Sequence, residues 1–346
     1  AGTFHERGWI ERAWPYFESR TGAALAFVLV ERGEEMVAVA PLQLRTRSWL
    51  HARQRVLEFL GGTWDELDDW MPGILYLATD VDARNAALDA IVRTVAEGAW
   101  DLLELRLVRD SDPTRERLLQ QIPSLQISPD RLVTPRVRLD TGWGDYWRER
   151  SRRLLRMVER GRKRAAEEGL DVTHEVTSEV PAARRGDVAA MHRARQERIR
   201  AGGRQRNSPF DNVGSERTFW DLVDWSAAQG RLRLHWLRIG GRPAAYVMVL
   251  HHAGTSFAWF NAIDPAAERY HPGSLVLAGL IEREATDHGA RIVDLMVGAN
   301  VTKSLFATEE IRHWHLSAVN PLRPSAAARG AWVRGLRRLS RAIGRG

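Results

Sequence analysis

Two stretches of this chain follow the same order of hydrophobic patterns, and that repetition constrains the fold more than any other feature. Each stretch has two apolar runs separated by a polar turn that contains glycine, which is typical of a β-hairpin. A helical pattern and then a strand-like run follow each hairpin. The matching ranges are 25–44 with 232–250, 83–97 with 274–288, and 101–108 with 291–297. Two copies of one unit are the simplest explanation, so the sequence predicts an α/β protein with two related domains.

The composition excludes several classes of protein and of site. At 346 residues the chain exceeds what one hydrophobic core usually organises, and its 44% hydrophobic and 27% charged residues are typical of a globular protein. It has no cysteine, which excludes disulfides, thiolate metal sites and cysteine nucleophiles. The absence of cysteine also favours a reducing compartment, so we expect a cytoplasmic protein.

Positive charge is concentrated at the C-terminal end of the chain. The formal net charge is +7, whereas the segment from Arg312 onward contains eight arginines and no acidic residue. The rest of the chain is therefore close to neutral, and the basic isoelectric point is weak evidence for a nucleic-acid partner. Only Lys163 and Lys303 are lysines. No apolar run reaches the length of a transmembrane helix, so we expect no transmembrane segment.

Two motifs in the second half of the chain carry a resemblance to a known family. Residues 261–277 read NAIDPAAERYHPGSLVL, and residues 292–306 read IVDLMVGANVTKSLF. They resemble the acyltransferases related to the cellulose-biosynthesis CelD proteins, a branch of the GNAT superfamily allied to the Fem aminoacyl transferases. In that branch an Asp-Pro turn, a Pro-Gly-Ser/Thr loop, a leucine-rich helix and an Asp-bearing strand precede Gly, Lys and Phe. The matching positions are Asp264, Pro265, Pro272, Gly273, Ser274, Asp294, Gly298, Lys303 and Phe306.

The resemblance covers most of the chain and implies tandem GNAT-like domains, each a mixed central sheet flanked by helices. We expect a degenerate GNAT-like domain at residues 1–139 and a GNAT-like acyltransferase domain at residues 140–322, with an arginine-rich helix at its start. A basic C-terminal tail is expected at residues 323–346. The first copy has no glycine before its helix and instead carries Asp80 and Asp82, which repel phosphates.

The segment before the helical pattern of the second copy is the predicted donor site. Unpaired N–H groups at a helix start bind a pyrophosphate, and Gly273 lets a ligand approach the backbone closely. Pro272 and Gly273 also fit an ordinary turn that opens a buried helix. Trp259, on an aromatic strand, also fits a residue of the hydrophobic core. The resemblance implies acetyl-CoA or another acyl-CoA as co-substrate. The predicted donor-binding residues are Trp259, Asn261, Arg269, Tyr270, His271, Gly273 and Ser274.

Asp294 and Lys303 form the predicted catalytic pair. Asp294 interrupts an apolar strand, where a carboxylate needs a partner, and Lys303 is the expected partner because lysine is scarce here. A structural salt bridge is the alternative. The resemblance also implies a base on the aromatic strand, and that base is missing. Asp264, Asp294 or a water molecule is therefore expected to accept the proton of the acceptor amine.

An amine acceptor, either a small molecule or a peptide, is predicted in the cleft between the two domains. Acidic side chains suit an amine, although these aspartates also fit a solvated loop. The predicted acceptor-binding residues are Asp65, Asp68, Asp69, Arg204 and Asn212. No metal site is predicted, because His313 and His315 share a strand face without a third ligand nearby.

Arginines recur every four residues from Arg148 to Arg164 and predict an amphipathic helix. Its polar face fits a solvated surface, a phosphate site for substrate or cofactor, or a site for the transfer-RNA backbone. Together these features predict an acyl-CoA-dependent N-acyltransferase that works by direct attack. The alternatives are a Fem-like transferase with an aminoacyl-tRNA donor, and a non-catalytic protein that binds nucleic acid or a membrane surface.

Overall fold

The computed structural model describes residues 4, 6–49, 52–61, 75–76, 80–203, 208–320 and 323. Within these ranges one sheet of eleven strands and a second sheet of three strands are packed against helices. The expected mixed α/β architecture, a central sheet flanked by helices, is confirmed. In the same ranges no helix is long and apolar enough to cross a membrane.

The first half of the chain supplies three helices and eight strands to this architecture. They are α1 (Arg7–Thr21), β1 (Ala24–Leu25), β2 (Val28–Arg32), β3 (Glu35–Ala40), β4 (Leu42–Trp49), β5 (Ala52–Phe59), β6 (Leu75–Tyr76), α2 (Val81–Glu97), β7 (Leu102–Arg109), α3 (Thr114–Gln121) and β8 (Gln126–Arg138).

The second half supplies the remaining described elements. They are α4 (Trp143–Arg148), α5 (Arg152–Glu167), β9 (Val172–Thr177), α6 (Ala182–Ala201), α7 (Val213–Ala228), β10 (Leu232–Ile239), β11 (Arg242–His252), β12 (Thr255–Ile263), α8 (Pro272–Thr286), β13 (Ile292–Asp294), α9 (Val301–Phe306) and β14 (Glu309–Val319). Short 3-10 helices span Pro209–Asp211 and Pro265–Tyr270.

The order of elements predicted to occur twice is present twice. In the first half β4 and β5 pair antiparallel, α2 follows, and β7 returns parallel to β5. In the second half β11 and β12 pair antiparallel, α8 follows, and β13 returns parallel to β12. The halves differ in the preceding hairpin, because β2 and β3 lie in the three-stranded sheet whereas β10 extends the large sheet.

The two halves exchange strands, which joins them into one sheet. The large sheet has the order β1-β4-β5-β7-β14-β8-β13-β12-β11-β10-β9. Strand β8 precedes the second copy in sequence yet pairs with its β13, and β14 at the end of the second copy pairs with β7 of the first. Strands β8 and β14 also pair with each other. Each half is therefore completed by a strand that lies outside its own repeat.

Both faces of the second half of the sheet are buried. Along β11, alternate side chains enter different cores, since Tyr246, Met248 and Leu250 pack on one side and Ala245, Val247 and Val249 on the other. Helices α6 and α7 cover the first side, and α5 and α8 cover the second. Burial on both faces explains the nearly continuous apolar run of β11.

Candidate active site

In the second half of the chain, strands β12 and β13 separate after a short paired stretch. Strands β12 and β13 pair only from Thr255 to Phe257 and from Ile292 to Asp294. Among the described strands none pairs with this side of β12 beyond Phe257. The edge from Ala258 to Ile263 therefore presents backbone N–H and C=O groups to a ligand, as an unpaired strand edge does.

A β-bulge at Trp259 changes which side chains face this opening. Across the β11–β12 ladder Phe260 lies opposite Met248 and Ala258 lies opposite Val249, so Trp259 is the extra residue. The Trp259 ring stacks on Phe219, with the ring centroids 5.4 Å apart, and is 1% exposed. Trp259, a predicted donor-binding residue, is thus placed by the structure in the aromatic core.

A cavity of about 360 Å³ occupies the gap between the separated strands. Its walls come from β11, β12, the first turns of α8, and the segment that runs from the end of β13 into α9. Most of the lining is apolar. The polar side chains that line it are Arg195, Tyr246, Asn261, Asn300, Thr302 and Lys303.

Arg195 reaches this cavity from α6 and holds Asn261 in place. Its Nη1 donates to the backbone oxygen of Asn261 at 2.7 Å and to the Oδ1 of the same residue at 3.1 Å. Asn261 is among the predicted donor-binding residues and Arg195 is not, because arginine is so common in α6 that no spacing distinguishes this one.

Tyr246 is a second polar group of the cavity that is not among the predicted site residues. It is fully buried, and its hydroxyl lies 3.4 Å from the backbone oxygen of Val188. Burial raises the pKa of Tyr246 well above its usual value, so the hydroxyl keeps its proton at neutral pH. Tyr246 lies in an apolar strand, and its neighbours in the sequence are typical of a core residue.

The start of α8 forms one rim of the cavity. His271 adopts a left-handed conformation at φ 53°, and its backbone oxygen accepts from the N–H of Ser274 at 2.9 Å and of Leu275 at 3.1 Å. Gly273 lines the cavity, and a Cβ added there would meet only Ile263 Cγ2, at 3.7 Å. The space above Gly273 is therefore open toward the cavity.

The matching helix start in the first half is closed by its own carboxylate. Asp80 caps α2 and accepts from the N–H groups of Asp82 and Ala83. These hydrogen bonds lower the pKa of Asp80, so a negative charge already occupies the position where a phosphate would sit. The two helix starts therefore differ in the way that the acidic sequence of the first copy indicated.

The other predicted donor-binding residues lie apart from the cavity lining. Arg269 and Tyr270 both bond Glu168, which follows α5, with Arg269 Nη2 2.6 Å from Glu168 Oε2. His271 is exposed, and Ser274 is buried in the first turn of α8. Of the predicted donor site, the structure brings Asn261 and Gly273 together in the cavity.

The ion-pair partner of Asp294 is Arg136 of β8, and the predicted pairing with Lys303 is wrong. Asp294 is fully buried, its Oδ2 lies 2.7 Å from Arg136 Nε, and its Oδ1 accepts from the N–H of Met296 at 2.9 Å. Lys303 instead lines the cavity from α9, where Asn300 caps the helix. The strand exchange brings Arg136 to Asp294, and no local pattern indicates that contact.

Asp264 and Asn212 each hold local backbone. Asp264 follows the cavity-lining Ile263 and accepts from the N–H of Ala266 at 2.9 Å. Asn212 caps α7 by accepting from Ser215 N at 2.8 Å. The other predicted acceptor-binding residues, Asp65, Asp68, Asp69 and Arg204, lie outside the described residues.

Residues 150–304, a little under half of the chain, match the family described as an acetyltransferase (GNAT) domain. This range contains the parted strands, the Gly273 helix start and Lys303. Residues 150–304 have a GNAT acetyltransferase fold. No curated protein matches the chain.

Solved structures share this fold at low sequence identity. The chain is similar to FemX at 12% identity, covering 91% of this chain and 96% of that one with a TM-score of 0.58. It is similar to a conserved protein of unknown function from Bacteroides thetaiotaomicron at 10% identity, covering 89% of each chain with a TM-score of 0.52. L-PGS from Bacillus licheniformis matches at 10% identity, covering 90% of this chain and 92% of that one with a TM-score of 0.50. The GNAT-like fold predicted from the motifs is confirmed.

Proposed function

We propose that this protein is an acyl-CoA-dependent N-acyltransferase, which transfers an acyl group such as acetyl to an amine by direct attack. The observation that carries this proposal is the unpaired edge of β12 above a cavity that Gly273 opens at the start of α8. The edge offers backbone groups to the amide-rich pantetheine arm of the donor. The helix start, with the open space above Gly273, is the proposed place for its pyrophosphate.

In the proposed reaction, the amine nitrogen forms a bond to the thioester carbonyl carbon and the carbon–sulfur bond then breaks. Backbone N–H groups of the β12 edge stabilise the charge that develops on the carbonyl oxygen. Tyr246 lines the cavity with its proton retained and is the proposed hydrogen-bond donor to the departing thiolate. Lys303 is proposed to orient the donor from the opposite wall.

The amine must lose a proton during this reaction. Among the described residues that line the cavity, none is a carboxylate or a histidine. We assign the proton to Asp264, directly or through water, because Asp264 directly follows cavity-lining Ile263 and is only half-buried. Asp294 is completely buried and held by Arg136, so we assign it a structural role.

The substitution Gly273→Val tests the donor site. The protein leaves room for the added side chain, whereas the bound pyrophosphate would not, so the variant should fold normally and lose affinity for acetyl-CoA. Gly186→Val is the matched control, since a Cβ at this α6 position meets nothing within 4 Å and Gly186 does not line the cavity. Calorimetric titration that gives Gly273→Val the wild-type affinity for acetyl-CoA would place the donor elsewhere.

A Fem-like transferase with an aminoacyl-tRNA donor is the second candidate, and the exposed arginines of α5 favour it. A tRNA donor predicts tight, strongly salt-dependent binding of tRNA. Thermal-shift titrations with acetyl-CoA, longer acyl-CoAs and tRNA at two salt concentrations distinguish the donors. Binding without transfer in every case would favour the non-catalytic alternative.

A further inference from the structure

Helix α5 presents arginines that lack acidic partners in the described part of the chain. The guanidinium groups of Arg152, Arg153, Arg156, Arg160 and Arg162 are exposed, and no described carboxylate lies within 4.0 Å of them. On α6, by contrast, Arg184, Arg185, Arg193, Arg198 and Arg200 each form an ion pair. The unpaired charge on α5 is therefore a local property of this helix and does not follow from arginine content alone.

Part of this charge lies on the flank of α5 that faces the donor site. The helical period places Arg153, Arg160 and Arg164 on the same flank as Glu168, whereas Arg162 lies on the opposite flank. Glu168 binds Arg269, and Arg164 Nη1 donates to the backbone oxygen of Arg269 at 3.1 Å. This flank therefore adjoins the 3-10 helix that leads into α8.

Helix α5 packs unusually closely against the connection between the 3-10 helix Pro265–Tyr270 and α8. A Cβ on Gly161 would lie 2.3 Å from the backbone oxygen of Tyr270 and 3.3 Å from Leu275 Cδ1, so only glycine fits there. Tyr270 and Leu275 lie three residues before and two after Gly273. Arg160 and Arg164, which lie on the Glu168 flank within one turn of Gly161, are therefore close to the segment that leads into α8.

The groups at the start of α8 that could neutralise a donor's phosphates are already partly engaged. The N–H groups of Ser274 and Leu275 donate to His271, and Arg269 is paired with Glu168. A donor nucleotide that carries several phosphates therefore requires further cations beside this helix start. The α5 flank supplies them without having to break an ion pair with a described carboxylate.

We infer that Arg160 and Arg164 of α5 bind the phosphate groups of the nucleotide part of the donor. This inference rests on the proposed function and names a second binding element for the same donor. Each guanidinium can form two parallel hydrogen bonds to a phosphate, which makes arginine well suited to this role.

The test compares two double variants with equal loss of charge. Arg160→Gln/Arg164→Gln removes the donor-side cations, and Arg152→Gln/Arg162→Gln removes two exposed cations of the same helix that lie off this flank and have no described carboxylate partner. Calorimetry measures the binding of acetyl-CoA and of acetyl-pantetheine, which has no nucleotide. We expect the first variant to bind acetyl-CoA about tenfold more weakly or worse, given the strength of charged hydrogen bonds, and acetyl-pantetheine as the wild type does. The control should match the wild type for both ligands.

Three other outcomes overturn the inference. If both double variants weaken the binding of acetyl-CoA equally, the helix contributes only a diffuse positive electrostatic field. If neither variant changes the affinity of an acetyl-CoA-binding wild type, the phosphates lie elsewhere while the proposed function stands. If the wild type binds neither ligand but binds tRNA, and Arg160→Gln/Arg164→Gln weakens the tRNA complex, the flank serves a nucleic acid and the proposed donor is also wrong.

Discussion

The substitution Asp294→Asn removes a completely buried negative charge. Its side chain has no exposed surface, and its carboxylate lies 2.7 Å from Arg136 Nε on the exchanged strand β8. A second arginine, Arg109 of β7, is close enough that burial and then Arg136 lower its pKa, while Asp294 opposes that effect. Asparagine keeps the shape of the side chain and leaves two neighbouring arginines without the carboxylate that compensates them.

The expected loss of stability is large. Breaking a buried ion pair from one side costs about 3–5 kcal/mol, because the remaining charge stays desolvated. For a chain of 346 residues that corresponds to a fall in Tm of about 4–7 °C. The turnover of molecules that remain folded should fall far less, because Asp294 is not among the described residues that line the cavity.

Calorimetry and single-turnover transfer on the same samples separate the two effects. The double variant Arg136→Met/Asp294→Asn should be less destabilised than the sum of the single variants, because no charge of the pair then remains buried. An unchanged Tm for Asp294→Asn, together with a rate about 100-fold lower, would refute this reasoning and make Asp294 a catalytic residue.

Three further predictions follow from particular contacts. Lys303→Met should lower kcat/KM by about 100-fold with little change in Tm, since Lys303 lines the cavity; a normal rate would remove it from the catalytic residues. Gly161→Ala should lower the Tm, because its Cβ would lie 2.3 Å from the Tyr270 backbone oxygen, and an unchanged Tm would contradict the close contact of α5. Burial, and secondarily His235, lowers the pKa of His174 to about 3 from 6.5, so the unfolded chain binds a proton that the folded protein excludes between these values. Stability should therefore fall as pH drops below 6.5, and His174→Gln should flatten that dependence in denaturant titrations at several pH values.

Local patterns predicted the repeated order of elements, and three residues that they singled out lie in the lining of the cavity. Gly273, Asn261 and Lys303 all line the cavity, because a helix start, a strand and a short following helix each leave a signature in a few consecutive residues. The acidic start of α2 also indicated a closed helix start, and Asp80 closes it.

The features that the sequence did not predict depend on long-range pairing or on one extra residue. The exchange of β8 and β14 brings Arg136 to Asp294 across 158 residues, and periodicity contains no information about such a contact. The bulge at Trp259 shifts the alternation of inward and outward side chains along β12 by one position. The Trp259 side chain, predicted to bind the donor, therefore lies in the core. The position of Arg195 in the cavity could not be predicted, because α6 contains many other arginines at similar spacing.

Hydrogen–deuterium exchange with and without acetyl-CoA tests most directly whether the donor lies between the parted strands of the second half. We expect acetyl-CoA to slow exchange in residues 258–263 of β12 and residues 273–277 of α8, because the ligand covers the unpaired edge and the open helix start. The corresponding start of α2, residues 81–85, should exchange at the same rate in both states, since Asp80 already occupies it. Protection of α2, or protection of neither helix start by bound acetyl-CoA, would contradict the proposed donor site.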